Sequence, residues 1–318
     1  MQKNHKKQKK ILLVSCILLL FLSLGTGNRY SVFWKTGKSA KAATAITVTS
    51  HKKFIKAIYK MALKREISGT FYYEGDSNDI FDGDIDQLLQ EVCAIDKKTS
   101  SDADYLANSI STINVRTSYQ YIGDTIIDST LTVQIRYLET MAQLEAVNVG
   151  VEQVLAELGV EGKSDYKKVK LIHDYIVNNT RYQFGSNCYT AYGALLEGRA
   201  VCQGYAQLTY KMLREAGLSC YVITGQANNG SRTEDHAWNI VKVGKKWYYL
   251  DTTWDDPAGG EDVLRYDYFL IGSDKMDQDH AAFLGQEEKI VNVSRTNHKK
   301  WESLQEQEDD LYLYGFGL

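Results

Sequence analysis

Cysteine is scarce in this chain, with five residues in 318, at positions 16, 93, 188, 202 and 220. The spacings match no zinc-ligand pattern, and so few thiols exclude a dense disulfide framework. Proline is scarcer still, at one residue, and no internal repeat is visible. The apolar run from Ile11 to Leu24, 14 residues, is too short to span a bilayer comfortably. Positive charge in excess is confined to one end. Residues 1 to 42 hold nine Lys and Arg and no acid, so without them the formal net charge goes from -3 to -12. An acidic remainder argues against nucleic acid and against anionic lipid as partners.

The basic, then apolar, order of the first residues is that of a signal peptide. Lys3, Lys6, Lys7, Lys9 and Lys10 precede the apolar run, and Ala40-Lys41-Ala42 supplies a small-residue cleavage site downstream. The segment is either removed or kept as an N-terminal anchor through residues 11–24. In both cases the remainder leaves the cytosol, to be secreted or held at the cell surface. Leu13-Val14-Ser15-Cys16 has the form of a lipoprotein box, but most of the apolar run follows it, so Cys16 reads as an ordinary member of the run. Four cysteines then remain. If one is a free thiol, at most one bridge can form among the other three, and an unpaired thiol in an exported chain calls for a purpose.

Composition is otherwise globular, with 44% hydrophobic and 24% charged residues, and the 22 tyrosines are taken to fill strand positions. Residues 51–65 and 84–92 carry apolar side chains at helical spacing. Ile113 to Tyr121 and Leu131 to Tyr137 alternate about a turn at Gly123-Asp124, which predicts a long hairpin. Two helices follow, over 139–158 with Gly159 as the stop and after Ser164 as the cap. Residues 181–201 read as loop, 202–216 as helix, 219–225 as strand, and 236–243 with 246–253 as a second hairpin. After Gly272 the pattern fades. The expected fold class is α+β, divided into a leader (1–42), an accessory helix-plus-hairpin region (43–160), a core (161–273) and an acidic, Tyr-rich extension (274–318).

Cys202 opens its helix, with Tyr205, Leu208 and Met212 on one face and Gly217 at the far end. The first turn of a helix carries unpaired N–H groups and a partial positive charge, which favour a thiolate. Gly204 and Ala206 keep that turn small, as the approach of a substrate backbone would require. A thiol so placed is a candidate nucleophile, with its own N–H available to an oxyanion. On its own the signal also fits a buried core cysteine. A nucleophile needs a base and an orienter. His236, Trp238 and Ile240 share one strand face, and the two-residue turn Gly244-Lys245 sets Val243 opposite Lys246. Asp251 then falls opposite Trp238 and diagonal to His236, within reach of the imidazole. His173 reads as a packing or capping residue of its helix, while His280 and His298 fall in the weakly patterned tail.

The stretches "AYGALLEGRAVCQGYAQLTYKMLREAGL", "DHAWNIVKVGKKWYYLDTTWDDP" and "YDYFLIGSD" together resemble the transglutaminase-like superfamily, in its exported bacterial branch. The resemblance runs over roughly residues 164–273. It implies a papain-like core, a nucleophile helix packed on an antiparallel sheet, and a Cys, His, Asp triad carried onto Cys202, His236 and Asp251. Similar sequences often have proline where this chain has Thr252, a residue at ease in a strand. The family includes protein crosslinkers, deamidases, peptidases and inactive relatives.

The implied reaction is attack of Cys202 on a glutamine carboxamide, with a thioester passed to a lysine amine or to water, on protein or peptide substrates. The alternatives are a cysteine protease or amidase acting on surface protein or wall peptide, and a non-enzymatic binding module with a vestigial triad. Trp238, Trp247 and Trp254 form either an apolar tunnel or core. Tyr192 and Gln203 are candidates for a second oxyanion donor, and Asn239 for a partner behind the triad. Asp255, Asp256, Glu261 and Asp262 lack an EF-hand spacing and read as a solvated acidic loop, so no metal or cofactor is expected. Cys188 is packed, paired with Cys220, or a redox lock on the nucleophile.

Overall fold

The computed structural model describes residues 45–95, 103–123, 125–256, 264–301 and 303. The expected leader, Glu261, Asp262 and the end of the acidic extension lie outside these residues. No helix among the described residues is long and apolar enough to cross a membrane. The chain forms two compact units. One takes 45–95 and 110–137 of the described residues, and the other takes 103–109 and everything from Leu138 onward.

In the first unit β1 (Ile46–Thr47) lies parallel to β2 (Ser68–Tyr73) in a sheet ordered β1-β2-β4-β3, with β3 (Ile110–Ile122) and β4 (Thr125–Tyr137) as the long hairpin. Ile122 pairs with Thr125, but the register shifts by one between Gln120 and Tyr121, so that Ile113 lies opposite Ile135 and Val115 opposite Val133. Helices α1 (His51–Leu63) and α2 (Ile85–Ala94) are capped by the Ser50 and Asp84 side chains. Phe54, Ile58, Phe71, Leu131 and Val133 make the core, with the Phe54 and Phe71 rings edge to face at 5.2 Å.

The second unit starts with α3 (Ala103–Ser109) and resumes with α4 (Met141–Glu157), held by a Thr140/Gln143 capping box. Helix α5 (Asp165–Asn179) is capped by Ser164 and α6 (Ala191–Leu196) by Thr190. Between them lies β5 (Arg181–Tyr182), which pairs with β6 (Arg199–Ala200). The stretch expected to be loop thus contains a short helix and two short strands, too brief for any period to show. Helix α7 (Cys202–Glu215) ends at Gly217, whose φ of 83° lets the chain reverse.

An antiparallel sheet of order β10-β9-β8-β7-β11 completes the unit, from β7 (Cys220–Asn228), β8 (Thr233–Val243), β9 (Lys246–Leu250), β10 (Phe269–Ile271) and β11 (His280–Ala282). One face joins Leu208, Met212 and Leu213 of α7 through Val222, Ala237, Val241 and Leu250. Each such side chain contributes about 1.5–3 kcal/mol when fully buried. The other face carries Ile223, Trp238, Ile240 and Tyr249, covered by Met276 of α8 (Ser273–Met276) and by Ile290 of α9 (Glu287–Ile290).

A nucleophile helix packed on an antiparallel sheet is the α+β architecture expected from the sequence. The boundaries differ. Helices α3 and α4, expected in the accessory region, fold with the core. The Asn108 carbonyl accepts from Gln203 and Gln207 of α7, both at 2.8 Å, and Asp104 binds Lys289 at 2.9 Å. The beginning of the extension also belongs to the core, because β11 closes one edge of its sheet.

Candidate active site

Helix α7 begins at Cys202 with Val201 as its N-cap, a residue that offers no side-chain hydrogen bond. The N–H groups of Gly204 and Tyr205 turn back to the Val201 carbonyl. Helix geometry leaves the N–H groups of Cys202 and Gln203 without intrahelical acceptors, so this end is open to an anion. Cys202 is half-buried and free. Gly204 has a different role from the one expected. A Cβ there would lie 2.6 Å from the Cys188 carbonyl and 2.8 Å from Ala200 Cβ, so the protein's own chain fills the space expected for substrate. The glycine seats the Cys202 turn against residues 188–200.

The β8–β9 register is the predicted one, with Val243 opposite Lys246 and Asn239 opposite Leu250. Strand β9 stops at Leu250 instead of running to 253. Asp251 Oδ1 accepts from the Thr253 and Trp254 N–H groups at 2.9 and 3.3 Å and turns the chain there. Its Oδ2 faces His236 Nε2 at 2.6 Å. The Cys202 side chain is hydrogen-bonded to the same imidazole, and since Nε2 is taken, Nδ1 faces the thiol. Cys202, His236 and Asp251 are therefore brought together in one chain of contacts.

His236 is 4% and Asp251 1% exposed. Burial alone would lower the imidazole pKa. The Asp251 charge and hydrogen bond, with the Cys202 contact, outweigh it and push His236 up to about 10. Burial likewise works against the Asp251 carboxylate, but the charges and hydrogen bonds of His236 and then His280 hold it well below its ordinary value. The imidazolium and carboxylate are thus the resident forms at neutral pH.

The other expected residues are disposed as follows. Trp238 is buried and stacks on His236 with centroids 5.9 Å apart, and its indole N–H finds no partner among the described residues. Trp254, half-buried, lies 5.6 Å from the imidazole, whereas Trp247 stacks on Tyr221. Gln203 spends its side-chain amide on Asn108, on α3. Tyr192 packs on the main core, partly buried. Asn239 donates to the Ala206 carbonyl at 3.0 Å, tying β8 to α7. Cys188 and Cys220 are both buried and carry free thiols.

Two expectations are corrected. Asp255 and Asp256 are not a solvated loop: Asp255 is fully buried and meets His173 Nε2 at 3.0 Å, and Asp256 accepts from the Tyr205 hydroxyl. Burial pushes Asp255 up to about 6, with His173 offsetting only part of the effect. His280 is not a tail residue. Its side chain is buried at the sheet edge, where Nε2 lies 3.3 Å from Asp251 Oδ2. The candidate ligand atoms of His236, Asp251 and His280 lie within 4.8 Å of one another, the spacing a metal would need, but they are already engaged in hydrogen bonds among themselves. Reading the sequence also passed over Tyr182 and Tyr189, both near enough to Cys202 to feel its charge. Tyrosines are so frequent in this chain that composition could not have marked them.

Residues 152–252 match the family model of the transglutaminase-like superfamily, a stretch that contains all three of Cys202, His236 and Asp251. Among curated proteins the chain is similar to Kyphoscoliosis peptidase of Homo sapiens, 24% identical over 195 residues that cover 56% of this chain and 29% of that protein. It is also similar to Kyphoscoliosis peptidase of Mus musculus, 28% identical over 133 residues, 37% of this chain and 20% of that one. The chain spans less than a third of the length of either relative. Among solved structures, the crystal structure of a TGase superposes over 66% of this chain and 60% of its own, at 15% identity and a TM-score of 0.32.

Proposed function

We propose that the chain is a cysteine acyl-transfer enzyme that attacks a glutamine carboxamide of a protein or peptide and passes the acyl group to a lysine amine. The observation that carries this is the contact chain Cys202, His236, Asp251 at an uncapped helix start. His236 already holds the proton as the imidazolium, and Cys202 Sγ, paired with it, bonds to the carboxamide carbon. The carbonyl oxygen gains the negative charge and meets the open N–H groups of the first turn. The C–N bond breaks, and ammonia leaves with the proton from His236. An incoming amine then bonds to the thioester carbon and yields a proton to His236 as the C–S bond breaks, which restores the sulfur beside the protonated ring. Asp251 holds the ring and balances its charge throughout.

Water in place of the amine makes the same enzyme a deamidase or a peptidase. The name of the two curated relatives favours this second reading. A place outside the cytosol, resting on residues 1–42, is part of the proposal and is tested by fractionating cells that express the full chain.

The reaction is tested by mass spectrometry of the purified protein with a glutamine-containing protein and a labelled primary amine. A labelled adduct with loss of ammonia, absent in Cys202→Ala, is the expected result. Cys202-dependent cleavage or a deamidated product assigns the hydrolase. No Cys202-dependent product across a panel of such substrates overturns the enzyme reading in favour of a binding module.

A further inference from the structure

Asp251 serves four donors with two oxygens, and only one of the four is His236. Oδ1 is spent on the turn at Thr253 and Trp254, while Oδ2 is shared between His236 at 2.6 Å and His280 at 3.3 Å. The carboxylate has no water-facing side on which to rotate, so its direction is set by these partners. His280 is held in turn. Its Nδ1 pairs with Asp279 Oδ1, and Asp279 Oδ2 accepts from the Tyr268 hydroxyl at 2.6 Å. The ring thus has a carboxylate at each nitrogen, which fixes its orientation. The ring is boxed by aromatic faces, Trp254 at 4.4 Å, Trp238 at 5.0 Å and Tyr268 at 5.3 Å, with His236 itself at 5.4 Å.

The strand that carries His280 has its own accommodation. Ala282 of β11 pairs with Gly225 of β7, which itself lies opposite His236. A Cβ at Gly225 would fall 2.2 Å from the Ala281 carbonyl and 2.5 Å from the Trp238 ring, so only glycine admits both β11 and the indole there.

We propose that His280 is a positioning residue of the active site, fixing the Asp251 carboxylate and through it the tilt of the His236 ring toward Cys202. One hydrogen-bonded line then runs through Asp279, His280, Asp251, His236 and Cys202. With His280 gone, Oδ2 has a single ring partner, and the carboxylate is free to swing about its backbone-bound oxygen. The role rests on the triad reading above, and a readout that needs no substrate separates the two.

The experiment follows alkylation of Cys202 by iodoacetamide against pH, quantified on the Cys202 peptide by mass spectrometry. It compares the wild type, His236→Gln, His280→Gln and Asp279→Ala, each checked for fold by near-UV circular dichroism. Loss of one hydrogen bond to a charged group predicts that His280→Gln alkylates about 10- to 100-fold more slowly near neutral pH. Its profile should shift in the same direction as that of His236→Gln. Its kcat in the amine assay should fall by a similar factor with KM nearly unchanged. Asp279→Ala, at a half-exposed position, should show a smaller change of the same sign and serves alone if His280→Gln does not fold. A folded His280→Gln, or in its absence a folded Asp279→Ala, with the wild-type alkylation profile overturns the positioning role. A wild-type profile that His236→Gln leaves unchanged overturns the triad reading beneath it.

Discussion

At the residue scale, Asp251 is asked to do two things with one carboxylate. Oδ1 ends β9 by capping the turn that follows, and Oδ2 holds His236. Asp251→Asn retains the shape but puts an amide where both oxygens accept, so one of these duties fails. The expected result is a loss of about 10³- to 10⁴-fold in kcat, comparable to that of a triad whose imidazole is left in the wrong tautomer. Steady-state amine incorporation by the variant measures it, and activity within tenfold of wild type would remove Asp251 from the mechanism. The contact of Asp251 with His236 was readable in the sequence because a two-residue turn sets the register of everything beyond it, and Asp251 lies only eight positions from Val243. His280 was not, since it stands 29 residues past Asp251 on a three-residue strand. A strand that short shows no period, and the acidic residues around it gave the histidine no context.

At the element scale, α7 is held as a buried rod whose first turn must reach a fixed place. Substitution of its one glycine tests this directly. Gly204→Ala should stabilise an ordinary helix by about 1 kcal/mol through propensity. Here the added methyl would sit 2.6 Å from a backbone carbonyl, and overpacking of that kind costs about 1–3 kcal/mol. The clash wins over the propensity. A melting temperature lowered by several degrees, with Cys202 alkylation slowed at the same time, is the expected outcome. An unchanged or raised melting temperature would show that residues 188–200 give way. Two helix ends were legible, because Ser164 and Gly217 act where their chemistry predicts. The unit to which a helix belongs was not, as α3 and α4 show.

At the scale of the whole molecule, stability should depend on pH through the buried pair. His236 is raised to about 10 from an unfolded value near 6.5, so its contribution is full below about pH 6.5 and lost as the pH rises through about 10. Asp251 is depressed, so its contribution is full above about pH 4 and lost as the pH falls toward its folded value. Denaturant unfolding across pH should therefore show declining stability on the alkaline side from about 6.5 to 10. His236→Gln should flatten that decline, and an identical slope in wild type and variant would mean that the pair does not set it. Acyl transfer should also fail above about pH 10, where the imidazolium proton needed by the leaving group is gone.

By itself the sequence determined the longer elements, the register of the second hairpin and the reach of Asp251 to His236, all of which rest on local periods, caps and turns of known length. Only the tertiary structure decided what lies around them. It brought His173 to Asp255 across 82 residues, placed Asn108 under α7, filled the space at Gly204 with the Cys188 carbonyl and set His280 against the triad carboxylate. The physical reason is common to all four. Each joins groups far apart in the chain, whose pairing follows from burial: a polar group enclosed with apolar neighbours must find whichever partner the packing brings within reach, and no local pattern records which one that is.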